Sequence, residues 1–82
     1  MNTGSIIDRI TEAGREVKLL HITYKSKDGA VTHRTVEPYE LKDGGLYAYD
    51  VNKHGIRKFL MESITSAEVA STSFMPRYPI QF

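Results

Sequence analysis

The stretch Gly44–Met61, GGLYAYDVNKHGIRKFLM, decides how the rest of the chain is read. Side chains of a β-strand alternate between two faces, so Leu46, Ala48 and Asp50 fall on one side and Tyr47, Tyr49 and Val51 on the other. Asn52-Lys53-His54-Gly55 then reads as a four-residue turn, with Gly55 suited to a left-handed backbone position. Ile56 to Met61 is a second extended run. The whole is a β-hairpin, one face of which must pack a core. It also carries two tyrosines, an aspartate and an Arg57-Lys58 pair, which raises the question of a binding face.

The same signals recur on the N-terminal side. Val17, Leu19, Leu20, Ile22 and Tyr24 form an extended run that ends at the turn residues Lys27-Asp28-Gly29. Val31 to Leu41 is another, bent or placed at an edge by Pro38, which cannot donate to a sheet ladder. Asp43-Gly44-Gly45 is a third turn. Beyond the hairpin, Ile64 to Val69 begins a fifth strand. The expected strands are 17–26, 31–42, 46–52, 56–62 and 64–71, with an extended tail over 73–82.

Residues 5–14 have helical punctuation instead. Ser5 is placed to cap and Asp8 to complete a weak capping box. Ile6, Ile7, Ile10 and Ala13 recur at helical spacing, and Gly14 is a stop signal. So short a helix is marginal alone in water, so it is expected to plug one end of the curled sheet. The fold class is mainly β: a short N-terminal helix, then a five-stranded, curled antiparallel sheet or barrel.

Composition bounds what such a domain does. A chain of 82 residues makes one domain with a thin core. It has no cysteine, so disulfides and thiolate metal sites are excluded. No apolar run approaches the ~20 residues of a membrane-spanning helix, and the N-terminus lacks a signal-peptide pattern, so a cytoplasmic location is expected. Net charge is only +1, but Lys53, His54, Arg57 and Lys58 cluster without an acid among them.

The chain resembles the WYL domain family. The resemblance rests on Tyr24, Gly29, Arg34-Thr35-Val36-Glu37-Pro38-Tyr39-Glu40-Leu41, Gly45-Leu46-Tyr47-Ala48, Arg57-Lys58-Phe59 and Ile64, and runs from the helix to about Val69. Leu46-Tyr47-Ala48 stands where the family has Trp-Tyr-Leu, and Ser63 stands where it often has an arginine. The resemblance implies an SH3-like, Sm-type barrel acting as a regulatory sensor in transcription or defence. Its ligand would be nucleotide-like, or single-stranded nucleic acid, held in a basic groove that bears tyrosine. The residues it points to are Tyr24, Arg34, Tyr47 and Arg57, with His21 and Lys58 added by neighbourhood. No DNA-reading helix is legible, so a stand-alone module with its output through a regulatory protein partner is expected.

Each candidate also has a plainer reading. Tyrosine in a small barrel is often an interior or rim residue with a satisfied hydroxyl. Asp50 and Arg57 can pair across the hairpin. Arg34 can be a solvated charge at a sheet edge, where charge deters pairing with other chains. His21, His33 and His54 have no compact metal-ligand spacing, and no motif for nucleophilic or acid–base catalysis is present. Neither enzyme activity, a metal nor a cofactor is expected. The tail residues Phe74, Tyr78, Ile80 and Phe82 either fold back over the barrel or dock on a partner, and a homodimer is an open expectation. The alternative to a sensor is therefore a non-catalytic interaction or oligomerisation module built on the sheet edge and this tail.

Overall fold

The computed structural model describes residues 3–82, with side chains from residue 5 onward. The reading of Met1 and Asn2 as part of a leaderless N-terminus lies outside the described residues. The elements are α1 (Thr3–Glu16), β1 (Lys18–Lys25), β2 (Val31–Lys42), β3 (Gly45–Asp50), β4 (Gly55–Leu60), a 3-10 turn (Met61–Ser63) and β5 (Ile64–Ser73). The strands form one antiparallel sheet in the order β4-β3-β2-β1-β5, curled but not closed, so the fold is mainly β.

Helix α1 starts before Ser5 and runs past Gly14 to Glu16. Ser5 therefore lies inside the helix rather than at its cap position. The backbone turns at Val17, which takes a positive φ of 56° and accepts the strain that Gly14 was expected to relieve. Gly14 is needed for a different reason. A Cβ there would lie 2.2 Å from the Phe82 ring, so its missing side chain makes the seat for the end of the tail. Ile6, Ile10 and Ala13 are buried, whereas Ile7, expected on the same stripe, is exposed at the stripe's flank.

The core lies on the concave face, where Leu20, Ile22, Val36, Leu46, Ala48, Phe59, Ile64 and Ala67 meet the helix. The register explains the selection. Leu20 faces Val36 and Val69, Ile22 faces Ala67, and Leu46 faces Phe59 across their ladders. Pro38 sits in the central strand rather than at an edge, and a bulge between Pro38 and Glu40 absorbs its missing donor.

The turns follow their residues with one exchange of roles. Asp43 and Gly44 both have positive φ, 52° and 73°, the geometry of the two-residue hairpin loop between Lys42 and Gly45. The β3–β4 turn comprises Val51 to His54, and His54 (φ 55°) takes the left-handed position expected of Gly55, which instead opens β4. In the β1–β2 turn, Asp28 accepts hydrogen bonds from the Ser26 hydroxyl and, at 3.2 Å, from the Ala30 N–H. Those donors, Ser26 foremost, hold its carboxyl below the usual aspartate range.

The tail folds back on its own barrel. Phe74 and Tyr78 pack edge-on against Tyr39, with ring centroids 5.8 and 5.4 Å away. The Gln81 N–H donates to the Tyr39 carbonyl at 2.8 Å, which makes a parallel bridge beside Glu40. Phe82 packs against the core cluster. Among the described residues no helix is long and apolar enough to cross a membrane.

Candidate functional site

The parity of the hairpin sorts the six candidate residues. With Asp50 opposite Gly55, Tyr47 falls opposite Lys58 and Ala48 opposite Arg57. Ala48 belongs to the core face, so Arg57 lies on the concave side and Tyr47 on the convex side. On β2, Arg34 is opposite Ile22, and on β1, Tyr24 is opposite Thr32. Tyr24, Arg34 and Arg57 thus share the concave face, at the end of the sheet where the β1–β2 and β3–β4 turns lie. Tyr47 and Lys58 share the convex face of the hairpin, and His21 lies on the convex face of β1.

Arg34 is not at an edge, and it is mostly buried. It sits in central strand β2, and its Nη1 donates to Asp50 Oδ2 at 2.9 Å, with side-chain exposures of 20% and 0%. Its Nε donates to Thr32 Oγ1 at 3.4 Å. Asp50 Oδ1 is occupied separately, accepting the backbone N–H of Asn52 at 3.1 Å and of Lys53 at 3.2 Å. One buried carboxylate therefore shapes the β3–β4 turn and fixes a guanidinium. The expected Asp50–Arg57 pair does not form, because the register sets Gly55 opposite Asp50 and leaves Arg57 exposed beside Ala48.

The rest of this face is half open. Tyr24 is half-buried and packs edge-on against Phe59 at 5.4 Å, which orients its ring beside the strand that carries Arg57. No hydrogen-bond partner is present for the Tyr24 hydroxyl, for Nη2 of Arg34 or for the Arg57 guanidinium among the described residues. Ser63, where the family often has arginine, is buried in the 3-10 turn that leads into β5.

On the convex side, Lys58 Nζ lies 5.6 Å from the centroid of the half-buried Tyr47 ring. His21 Nδ1 is 3.0 Å from Thr35 Oγ1, and Thr23 Oγ1 bridges Ser66 Oγ (2.9 Å) and His33 Nδ1 (3.3 Å). His21, Thr23, His33, Thr35 and Ser66 line a shallow polar groove across β2, β1 and β5. No set of three or more histidine, aspartate or glutamate side chains among the described residues is placed to hold a metal ion.

Sequence reasoning missed two participants on the concave face. Thr32 gave no signal of its own. Asp50 was legible as a residue of the Leu46–Ala48 face, and once that face is the core, a buried aspartate requires a cation.

The sequence profile of the WYL domain matches residues 5–69. No curated protein sequence matches the chain significantly. Among solved structures, proteasome accessory factor B/C (PafBC) of Arthrobacter aurescens is similar, with a TM-score of 0.76 and 27% sequence identity. The match covers 96% of this chain and 14% of that one, so the chain spans a small part of the larger protein. With residues 5–69 of its 82 matched, the chain belongs to the WYL domain family.

Proposed function

We propose that this domain is a ligand-sensing regulatory module of the WYL type, which binds a nucleotide-like ligand or single-stranded nucleic acid on its concave face. The observation that carries the reading is the guanidinium of Arg34, fixed by Asp50 and Thr32 while Nη2 keeps free donors. A fixed fork loses little freedom when it meets a phosphate, and phosphate geometry suits two parallel N–H donors. Arg57 supplies a second, mobile charge and Tyr24 a hydroxyl and ring edge on the same face. Stacking of a base on an aromatic contributes roughly 1–3 kcal/mol and tolerates any base. The role is non-catalytic, in transcription or defence regulation, and the signal passes through a partner protein.

The test is a titration of short single-stranded oligonucleotides and a nucleotide panel at several salt concentrations. Affinity is expected to fall with salt, and Arg57→Ala to weaken binding at least tenfold while leaving the fold intact. Removing one phosphate contact should also reduce the salt slope by about 0.7 for a single strand. Binding that ignores salt, or that survives Arg57→Ala combined with Arg34→Gln, overturns the reading. A second reading, an oligomerisation module, is supported by one observation: among the described residues no further strand pairs with the outer edges of β4 and β5. Chemical crosslinking blocked by a proline within β4 tests it.

A further inference from the structure

The convex face of the β2–β3 ladder carries a built site that the concave-face reading does not use. Glu37 lies directly opposite Tyr49 there, and its side chain is only 5% exposed. A buried carboxylate needs a cation and hydrogen-bond donors. Both come from the tail. Arg77 Nε donates to Glu37 Oε1 at 3.1 Å and Oε2 at 3.3 Å, and the guanidinium carbon lies 4.0 Å from the centroid of the Tyr49 ring. The Tyr39 hydroxyl donates to Glu37 Oε1 at 2.6 Å and accepts the backbone N–H of Arg77 at 2.9 Å. Carboxylate, hydroxyl and aromatic face together read three features of one arginine: its charge, its plane and its backbone. A guanidinium can meet Glu37 through Nε while its carbon lies over Tyr49, whereas an ammonium is a single point charge, so the site favours arginine over lysine.

We infer that Glu37, Tyr39 and Tyr49 form an arginine-binding notch, filled in cis by Arg77, and that its ligand in trans is the C-terminal segment of a second copy of this chain. That segment is the one sequence whose fit is demonstrated on this surface, since Phe74 and Tyr78 flank the same Tyr39 ring and Phe82 seats at Gly14. It follows the end of β5 and contributes no strand to the five-stranded sheet, so it can leave without unpicking the core strands. Exchange between copies recreates every contact, and the competition is only between the second chain's concentration and the effective concentration of the tethered tail. The inference does not depend on the concave-face site, which lies on the opposite side of the same strands.

Complementation tests it. The full chain with Arg77→Ala keeps the notch and lacks the arginine; the full chain with Glu37→Gln keeps the arginine and lacks the carboxylate. Mixed, they are expected to form a one-to-one dimer at least tenfold tighter than either variant's self-association in sedimentation equilibrium. A mixture that associates no more tightly than its parents overturns the inference. Should Glu37→Gln fail to fold, the second arm uses a labelled peptide of residues 73–82 and the Arg77→Ala chain. Binding is expected to weaken at least tenfold when lysine replaces the peptide's arginine. Peptide binding that is absent, or indifferent to that change, overturns the inference by itself.

Discussion

The two faces of the β2–β3 ladder each hold an arginine–carboxylate pair, and they are built in opposite senses. On the concave face, Asp50 is wholly buried and satisfied by backbone N–H groups as well as by Arg34. There the carboxylate organises its surroundings and presents an arginine that still has donors to spare. On the convex face, Arg77 arrives from the tail, meets Glu37 through Nε alone and lies over Tyr49, while its backbone N–H goes to Tyr39. The pairs are one ladder position apart, Val36 with Asp50 beside Glu37 with Tyr49. Burial alone therefore does not distinguish a site from a structural clasp. What distinguishes them is where the arginine comes from: Arg34 is part of central strand β2 and is held by Asp50 and Thr32, whereas Arg77 is brought by the tail to a carboxylate already hydrogen-bonded to Tyr39.

The largest effect is expected from breaking the concave pair at its carboxylate. Asp50→Ala removes the acceptor of two turn N–H groups and strands a mostly buried guanidinium. Breaking one partner of a buried pair costs about 3–5 kcal/mol, and the lower end applies because Arg34 retains some access to water. Urea unfolding should show that loss. If the stability falls by less than about 1 kcal/mol, Asp50 is not the organiser of this face.

The convex face should show its own signature at high pH. Burial first, then the neighbouring Glu37, pushes the Tyr39 hydroxyl up to about 12 from its ordinary value near 10. A raised folded-state value means that the unfolded chain loses this proton first. Stability from Tyr39 is thus complete below pH ~10 and declines as pH rises from there to about 12, by roughly 1.4 kcal/mol per pH unit. Thermal melts should show the decline in the parent chain and a shallower one in Tyr39→Phe, which lacks the titrating group. Equal slopes would mean that the clasp does not bury this hydroxyl.

The tail's seat offers a test by sign rather than size. Gly14→Ala should destabilise by about 1–3 kcal/mol, because the new methyl collides with the Phe82 ring. In a chain already carrying Phe82→Ala the collision is gone, and the same change should stabilise by about 1 kcal/mol through helix propensity. A Gly14→Ala change that destabilises both backgrounds equally would show that Phe82 does not sit there.

These contrasts also show which parts of the structure were legible in the sequence. The strands and turns were, because alternating apolar residues and the pairs Asp28-Gly29 and Asp43-Gly44 report local backbone geometry. The helix ends were not. Gly14 carries a stop signal locally but is kept small for a residue 68 positions away (82 − 14), while Val17 takes a strained turn that nothing in its type announces. The concave site was half legible. Strand alternation put Asp50 on the face of Leu46 and Ala48, but its partner Arg34 follows only from the β2–β3 register, which the bulge at Pro38 shifts. The separation of Tyr47 from Arg57 had a usable signal. The turn expected over 52–55 pairs 50 with 57 and the observed turn over 51–54 pairs 48 with 57; either register puts Arg57 on the face of Ala48 and Asp50, and Tyr47, next to Ala48 in the strand, on the other.

That parity leads to the smallest predicted effect and the one that assigns the faces. Lys58 is exposed and lies over the Tyr47 ring at 5.6 Å, a contact that contributes about 0.5–1 kcal/mol at exposed sites. Lys58→Ala should therefore barely move the urea midpoint. Oligonucleotide affinity should fall only slightly, through the loss of one distant charge, while Arg57→Ala one residue away weakens binding at least tenfold. The two changes remove the same unit of charge from adjacent residues of one edge strand, so net electrostatics cannot separate them. Only the face can. Equal losses would move the binding surface to the edge of β4, and a larger loss for Lys58→Ala would move it to the convex face with Tyr47.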